Sequence, residues 1–100
     1  MGVRNPMKVP RRFTADPIKN ARNLTERGID LIDGATAFDF GTAISAIDDR
    51  KDYGEIREVA AGFIGARLHV LVFTMRDGIC HVISLRKANK REIRRYVEKT

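Results

Sequence analysis

Two periodicities alternate along the chain, one helical and one extended. Asp16-Pro17 marks a helix start, because an Asp side chain accepts from the orphan N–H groups and Pro is tolerated at the first helical position. The helix that follows, through Lys19, Arg22 and Asn23, should stop at Gly28. Asp30 is placed to cap a second, shorter helix that buries Leu31, Ile32 and Ala35. After Phe38 the texture becomes strand-like. Ala43–Ile47 is a short apolar run, and Asp48-Asp49-Arg50-Lys51-Asp52 is a polar turn. Strands are expected at Ile56–Ile64, Arg67–Met75 and Ile79–Arg86, joined at Gly65 and at Asp77-Gly78, a two-residue hairpin signal. A last helix, Lys90–Lys99, starts at Asn89 with Glu92 three residues on, a capping-box spacing, and should turn Ile93 and Val97 inward.

This order predicts an α+β domain: two N-terminal helices, an antiparallel sheet of about four strands, and one C-terminal helix. One domain fits the length, assigned to residues 13–100, with 1–12 as a flexible leader; a short strand is expected through Arg11–Thr14. No apolar run approaches the ~20 residues needed to span a bilayer, and no signal-peptide pattern precedes the domain, so a cytoplasmic protein is expected. The lone Cys80 excludes an internal disulfide framework and suits a small apolar packing role. One Cys and two His at scattered positions give no metal-ligand spacing, so neither metal nor cofactor is expected.

Charge sharpens the picture because it is uneven. Lys and Arg outnumber Asp and Glu seven to two in residues 1–27 and nine to three in 59–100, whereas acids lead eight to three in 28–58. Two basic segments around an acidic one suit a polyanion such as RNA, or else complement an acidic partner or serve as solvated faces. If Arg76 opposes Ile79 across the hairpin, counting outward sets His69 opposite Arg86 and Leu71 opposite Ser84. Arg67, His69, Ser84 and Arg86 then share one face of the sheet, while Leu68, Val70, Val72, Ile83 and Leu85 share the other. Arginines clamp phosphate through planar, permanently charged donors. RNA cleavage by its own 2′-OH needs such stabilisation, and gains from a base and an acid. His69 or Glu55 has the chemistry of a base, and His81 that of a satisfied core or rim histidine. The same arginines have a plainer alternative, pairing with a carboxylate such as Glu55 or Glu92. Lys87, Lys90 and Arg91 continue the cationic run as an RNA-tracking stripe or a solvated helix start. Tyr53 and Tyr96 are candidates for base stacking.

Three blocks in order carry a family resemblance: Phe13-Thr-Ala-Asp16-Pro17-Ile-Lys19-Asn-Ala-Arg-Asn23 with Gly28-Ile29; Asp52-Tyr53-Gly54-Glu55-Ile-Arg57 through Gly62 to Arg67-Leu68 and Phe73-Thr74; and Ile83-Ser84-Leu85-Arg86-Lys87-Ala88-Asn89-Lys90-Arg91-Glu92 with Tyr96. Over about residues 13–96 the chain resembles the BrnT toxins. The resemblance implies a RelE-like fold and a cofactor-free endoribonuclease that blocks translation. It also implies a cognate BrnA-like antitoxin, whose DNA-binding module gives the complex its operator. It makes Lys19, Glu55, Arg67 and Arg86 the site candidates: Arg67 and Arg86 on the phosphoryl charge, Glu55 or His69 as base, and Lys19 positioning the backbone. This chain departs from the family pattern at Ala15 in place of Trp, at Glu26-Arg27 in place of Lys-His, and at His81 in place of Arg. The runner-up expectation is a catalytically weakened relative acting as a protein- or nucleic-acid-binding module. A solitary DNA-binding repressor lacks a helix-turn-helix or ribbon motif.

Overall fold

The computed structural model describes residues 8–48 and 54–100. Five strands, β1 (Arg12–Ala15), β2 (Ile44–Asp48), β3 (Arg57–Ile64), β4 (Arg67–Arg76) and β5 (Ile79–Lys87), form one sheet in the order β1-β5-β4-β3-β2. The sheet is mixed rather than purely antiparallel: β1 runs parallel to β5, and the other neighbours are antiparallel. A strand so short and so early cannot announce its partner, which lies far along the chain. Most of the expected leader lies outside the described residues, but pairing to β5 starts at Arg12, with Arg11 N–H already donating to the Gly78 carbonyl at 3.2 Å. The expected 48–52 turn also lies largely outside them.

Helix α1 (Pro17–Arg27) forms where the capping chemistry demands it. Asp16 accepts from Ile18 N–H at 2.9 Å and Lys19 N–H at 3.2 Å, and Gly28 closes the helix at φ 72°. The backbone donors, Lys19 foremost, hold the Asp16 carboxyl below its ordinary range. Asp30 caps α2 (Leu31–Ala37) in the same way through Ile32 and Asp33. Helix α2 lies so close to β5 that a Cβ on Gly34 would sit 2.4 Å from Leu85 Cδ2, a contact no side chain tolerates. Helix α3 (Lys90–Lys99) starts with the full capping box between Asn89 and Glu92.

Both faces of the sheet are covered, and each has its own core. Under α2, Leu31, Ala35, Phe38 and Phe40 pack on Leu71, Phe73, Val82 and Leu85. Phe40 is the hub of that core, with ring centroids 5.0 Å from Phe38 and 6.0 Å from Phe13. Under α3, Leu68, Val70 and Ala88 meet Val59, Ala61, Phe63, Ile93 and Tyr96. Tyr96, not Val97, is the second inward residue of α3; Val97 is 65% exposed. Heptad-like spacing admits either residue, and the T-shaped contact of Tyr96 with Phe63 shows which one the sheet accepts.

The hairpin turn is as expected, and the pairing beyond it is not. Asp77 and Gly78 both have positive φ, 53° and 80°, the signature of a two-residue turn, and Arg76 opposes Ile79. Phe73 pairs with Val82 but Val72 pairs with Ser84, so Ile83 is an extra residue on β5. This bulge moves every later residue of β5 by one. His69 therefore faces Lys87, Leu71 faces Leu85, and Arg86 faces Val70. A one-residue shift exchanges the two faces, so Arg86 and Ser84 stand on the α3 side and His69 on the other.

Candidate active site

Strand β1 pairs only with residues 79–82, so among the described residues β5 from Ile83 onward has no strand on its outer side. Helix α1 lies along that free edge. Asn23, buried, donates from Nδ2 to the Leu85 carbonyl at 3.0 Å and to the Ile29 carbonyl at 2.9 Å, satisfying groups that a sheet edge leaves bare. Beside it a cleft of about 320 Å³ is lined by Lys19, Arg22, Glu26 and Arg27 of α1 and by Ile83 and Ser84 of β5. Lys19, Arg22, Asn23 and Glu26 follow the helical i, i+3, i+4, i+7 spacing, which puts them on one face. That spacing was the available signal for Arg22 and Arg27, neither of which the sequence singled out as a site residue.

Arg86 lies two residues beyond Ser84 on the same strand, half-buried. Its guanidinium grips Glu92 in a parallel pair of bonds, Nη1 to Oε1 and Nη2 to Oε2, each 2.8 Å. Glu92 also accepts from the Asn89 N–H at 2.9 Å. The Arg86 bonds, with that backbone donor, hold the Glu92 carboxyl down at about 2, and the same contact raises Arg86 further. The plainer fate of Arg86 noted from sequence, a carboxylate partner, is the observed one. Lys87, Lys90 and Arg91 are exposed where β5 passes into α3.

The remaining candidates lie elsewhere. His69 is buried on the opposite face, where Nδ1 donates to the Arg67 carbonyl at 2.8 Å. Arg67, at the head of β4, donates from Nη2 to the Ala88 carbonyl at 3.2 Å. The face shared by Arg67, His69, Ser84 and Arg86, expected from counting, does not form. Glu55 pairs with Arg76, its oxygens 3.0 and 3.1 Å from Nη2, and that guanidinium lowers its carboxyl. Arg76 and Val70, the neighbour of Arg86, are six residues apart on β4, about 20 Å in an extended strand. Glu55 therefore belongs to the far end of the sheet. His81 is there too, opposite Thr74, sharing a 3.0 Å hydrogen bond with Thr14 Oγ1. Tyr53 lies outside the described residues. Cys80 is buried, its thiol pushed up to about 12 by desolvation, as befits a packing residue.

The geometry thus gives one basic edge, from the α1 cleft through Ser84 and Arg86 to the start of α3. The family model for the ribonuclease toxin BrnT of type II toxin–antitoxin systems matches residues 16–92. The chain belongs to the BrnT toxin family. The match begins at the α1 cap and ends at Glu92, so it contains the whole of that edge. Among curated proteins, none matches the chain. Membership makes this a protein of a ribonuclease-toxin family and implies an antitoxin as its partner. Among the described residues, no helix is long and apolar enough to cross a membrane. The residues that the sequence reading set apart from the resemblance also have places in the fold. Glu26 and Arg27 line the α1 cleft, with Arg27 donating to Asn23 Oδ1 at 3.1 Å, and His81 lies at the other end of β5.

Proposed function

We propose that this chain is a metal-independent endoribonuclease of RelE-like type that works in the cytoplasm, cuts RNA and so inhibits translation. A BrnA-like antitoxin with a DNA-binding module holds it inactive. The observation that carries the reading is the continuous basic edge in which Lys19 and Ser84 share a cleft and Arg86 follows on the same strand. Attack of a 2′-OH on its own phosphate builds negative charge on the phosphoryl oxygens. Arg86 has the planar fork to receive that charge, and its two-pronged grip on the Glu92 carboxylate supports this role. Substrate phosphate must therefore displace Glu92. Lys19, Ser84, Lys87, Lys90 and Arg91 hold the flanking backbone. Arg67 acts from the strand end next to Ala88. Glu55 and His69 have no place at the phosphate that Arg86 binds, because one lies some 20 Å off along β4 and the other is buried on the opposite face.

A second reading, a weakened relative that binds protein or nucleic acid, has Glu26 in its favour. It puts a carboxylate in the cleft, at a position where the resemblance noted from sequence has Lys. Incubating purified protein with end-labelled RNA in EDTA separates the two. Cleavage supports the nuclease, and retained RNA binding with intact RNA supports the binding module.

A further inference from the structure

On the α3 side of the sheet, Ile93 and Tyr96 of α3 pack with Leu68, Val70 and Ala88, while Ala46 of β2 stays exposed. A groove of about 200 Å³ remains there between α3 and the edge strand β2. Its floor is aliphatic apart from Ser45: Ile44, Ala46, Val59, Ala61 and Val70. Its wall is the α3 flank carrying Glu92, Arg95, Tyr96 and Lys99. The Tyr96 hydroxyl donates to the Thr42 carbonyl, so α3 is tied to the chain entering β2.

The wall is cationic in effect. Glu92 is held by Arg86, and neither Arg95 nor Lys99 is within ion-pair distance of a carboxylate among the described residues. An aliphatic floor beside Lys99 and Arg95, which already acts on Glu92, gives RNA bases no aromatic platform, because the Tyr96 ring is engaged edge-on with Phe63. It fits an amphipathic helix with an acidic flank, laid beside α3 on the sheet. The surface is made of side chains on a sheet face and not of bare backbone, which favours a helix over an added strand. We infer that this groove receives an acidic amphipathic helix of the antitoxin. Its occupant would lie against Glu92 and thus next to Arg86, so one docked helix would both bind the toxin and close the route to the phosphate-binding arginine. The inference rests on the toxin–antitoxin reading and adds the surface to it.

The test uses the full chain and two labelled probes in parallel. One is a Glu-rich amphipathic peptide of about 18 residues with Leu at i, i+3, i+4 and i+7, a length at which a helix is sustained. The other is a short RNA. Two variants are compared with wild type: Ala46→Arg, which fills the floor with a cation, and Arg95→Glu with Lys99→Glu, which reverses the wall. Circular dichroism confirms that each is folded. The expected result is saturable peptide binding, weakened about tenfold or more by either variant, a loss of at least 1.4 kcal/mol. RNA cleavage should persist in Ala46→Arg. Failure of the peptide to bind wild type, or equal binding to wild type and Ala46→Arg, overturns the inference. So does tighter RNA binding by Ala46→Arg than by wild type, because a cation added to an RNA track would raise affinity. A wild type that binds peptide as expected but leaves RNA intact overturns the nuclease reading and not the groove.

Discussion

Replacing Glu92 with Gln tests how firmly Arg86 is held. Gln keeps an oxygen for the Asn89 N–H and so preserves the capping box, but it removes the anion that Arg86 grips. Holding a carboxyl from 4.5 down to about 2 corresponds to about 3 kcal/mol at full strength. The pair is not sealed from water, since the Arg86 and Glu92 side chains are 39% and 26% exposed. Solvent screening brings the expected contribution down to about 1 kcal/mol. Thermal unfolding at pH 7 should therefore show E92Q melting about 4–8 °C lower than wild type. The pH dependence has a definite sign. Because the folded carboxyl is depressed, its stabilisation is complete above its ordinary value and disappears as pH falls through the folded one. The gap between wild type and E92Q should be full above about pH 4.5 and close toward pH 2. Equal melting at pH 7, or a gap that persists at pH 2, would refute the reasoning.

Other outcomes follow from the same structure. Asp16→Ala removes the α1 cap and should cost about 1 kcal/mol in urea unfolding, with little change in the m-value. Gly34→Ala forces a Cβ against Leu85 and Ile29 and should destabilise by about 1–3 kcal/mol, with calorimetry as the check. Asn23→Ala strips the Leu85 and Ile29 carbonyls of their donor and should cost about 1–3 kcal/mol; hydrogen exchange should locate the loosening at the α1–β5 contact. Cys80, with its thiol at about 12, should resist a thiol reagent at pH 8 until the chain is unfolded.

Much of the fold was legible because its signals are local. Asp16-Pro17, Gly28, Asp30 and the Asn89–Glu92 spacing each act within one helical turn, and each cap forms as expected. Asp77-Gly78 fixed the hairpin turn for the same reason. The site was less legible because it depends on a non-local event. The Ile83 bulge has no marker in the sequence: no Gly or Pro interrupts β5, and the extra residue answers the packing of Val82 and Leu85 in one core. That single residue separates His69 from Arg86. The parallel pairing of β1 with β5 was hidden in the same way, and with it the free edge along which α1 lays Lys19 beside Ser84. The resemblance supplied Lys19 and Arg86 without either fact, and the structure supplies the edge that joins them.

On the proposed function, phosphate chemistry is centred on Arg86, at the α3 end of β5, and not at the Glu55–Arg76 end. Cleavage of labelled RNA in EDTA by wild type, Arg86→Ala and Arg76→Ala tests it directly. Loss of one charge-stabilising donor costs roughly 10²–10³ in rate, so Arg86→Ala should fall by about that factor while Arg76→Ala cuts at close to the wild-type rate. Wild-type cleavage by Arg86→Ala, or a collapse confined to Arg76→Ala, would contradict the account.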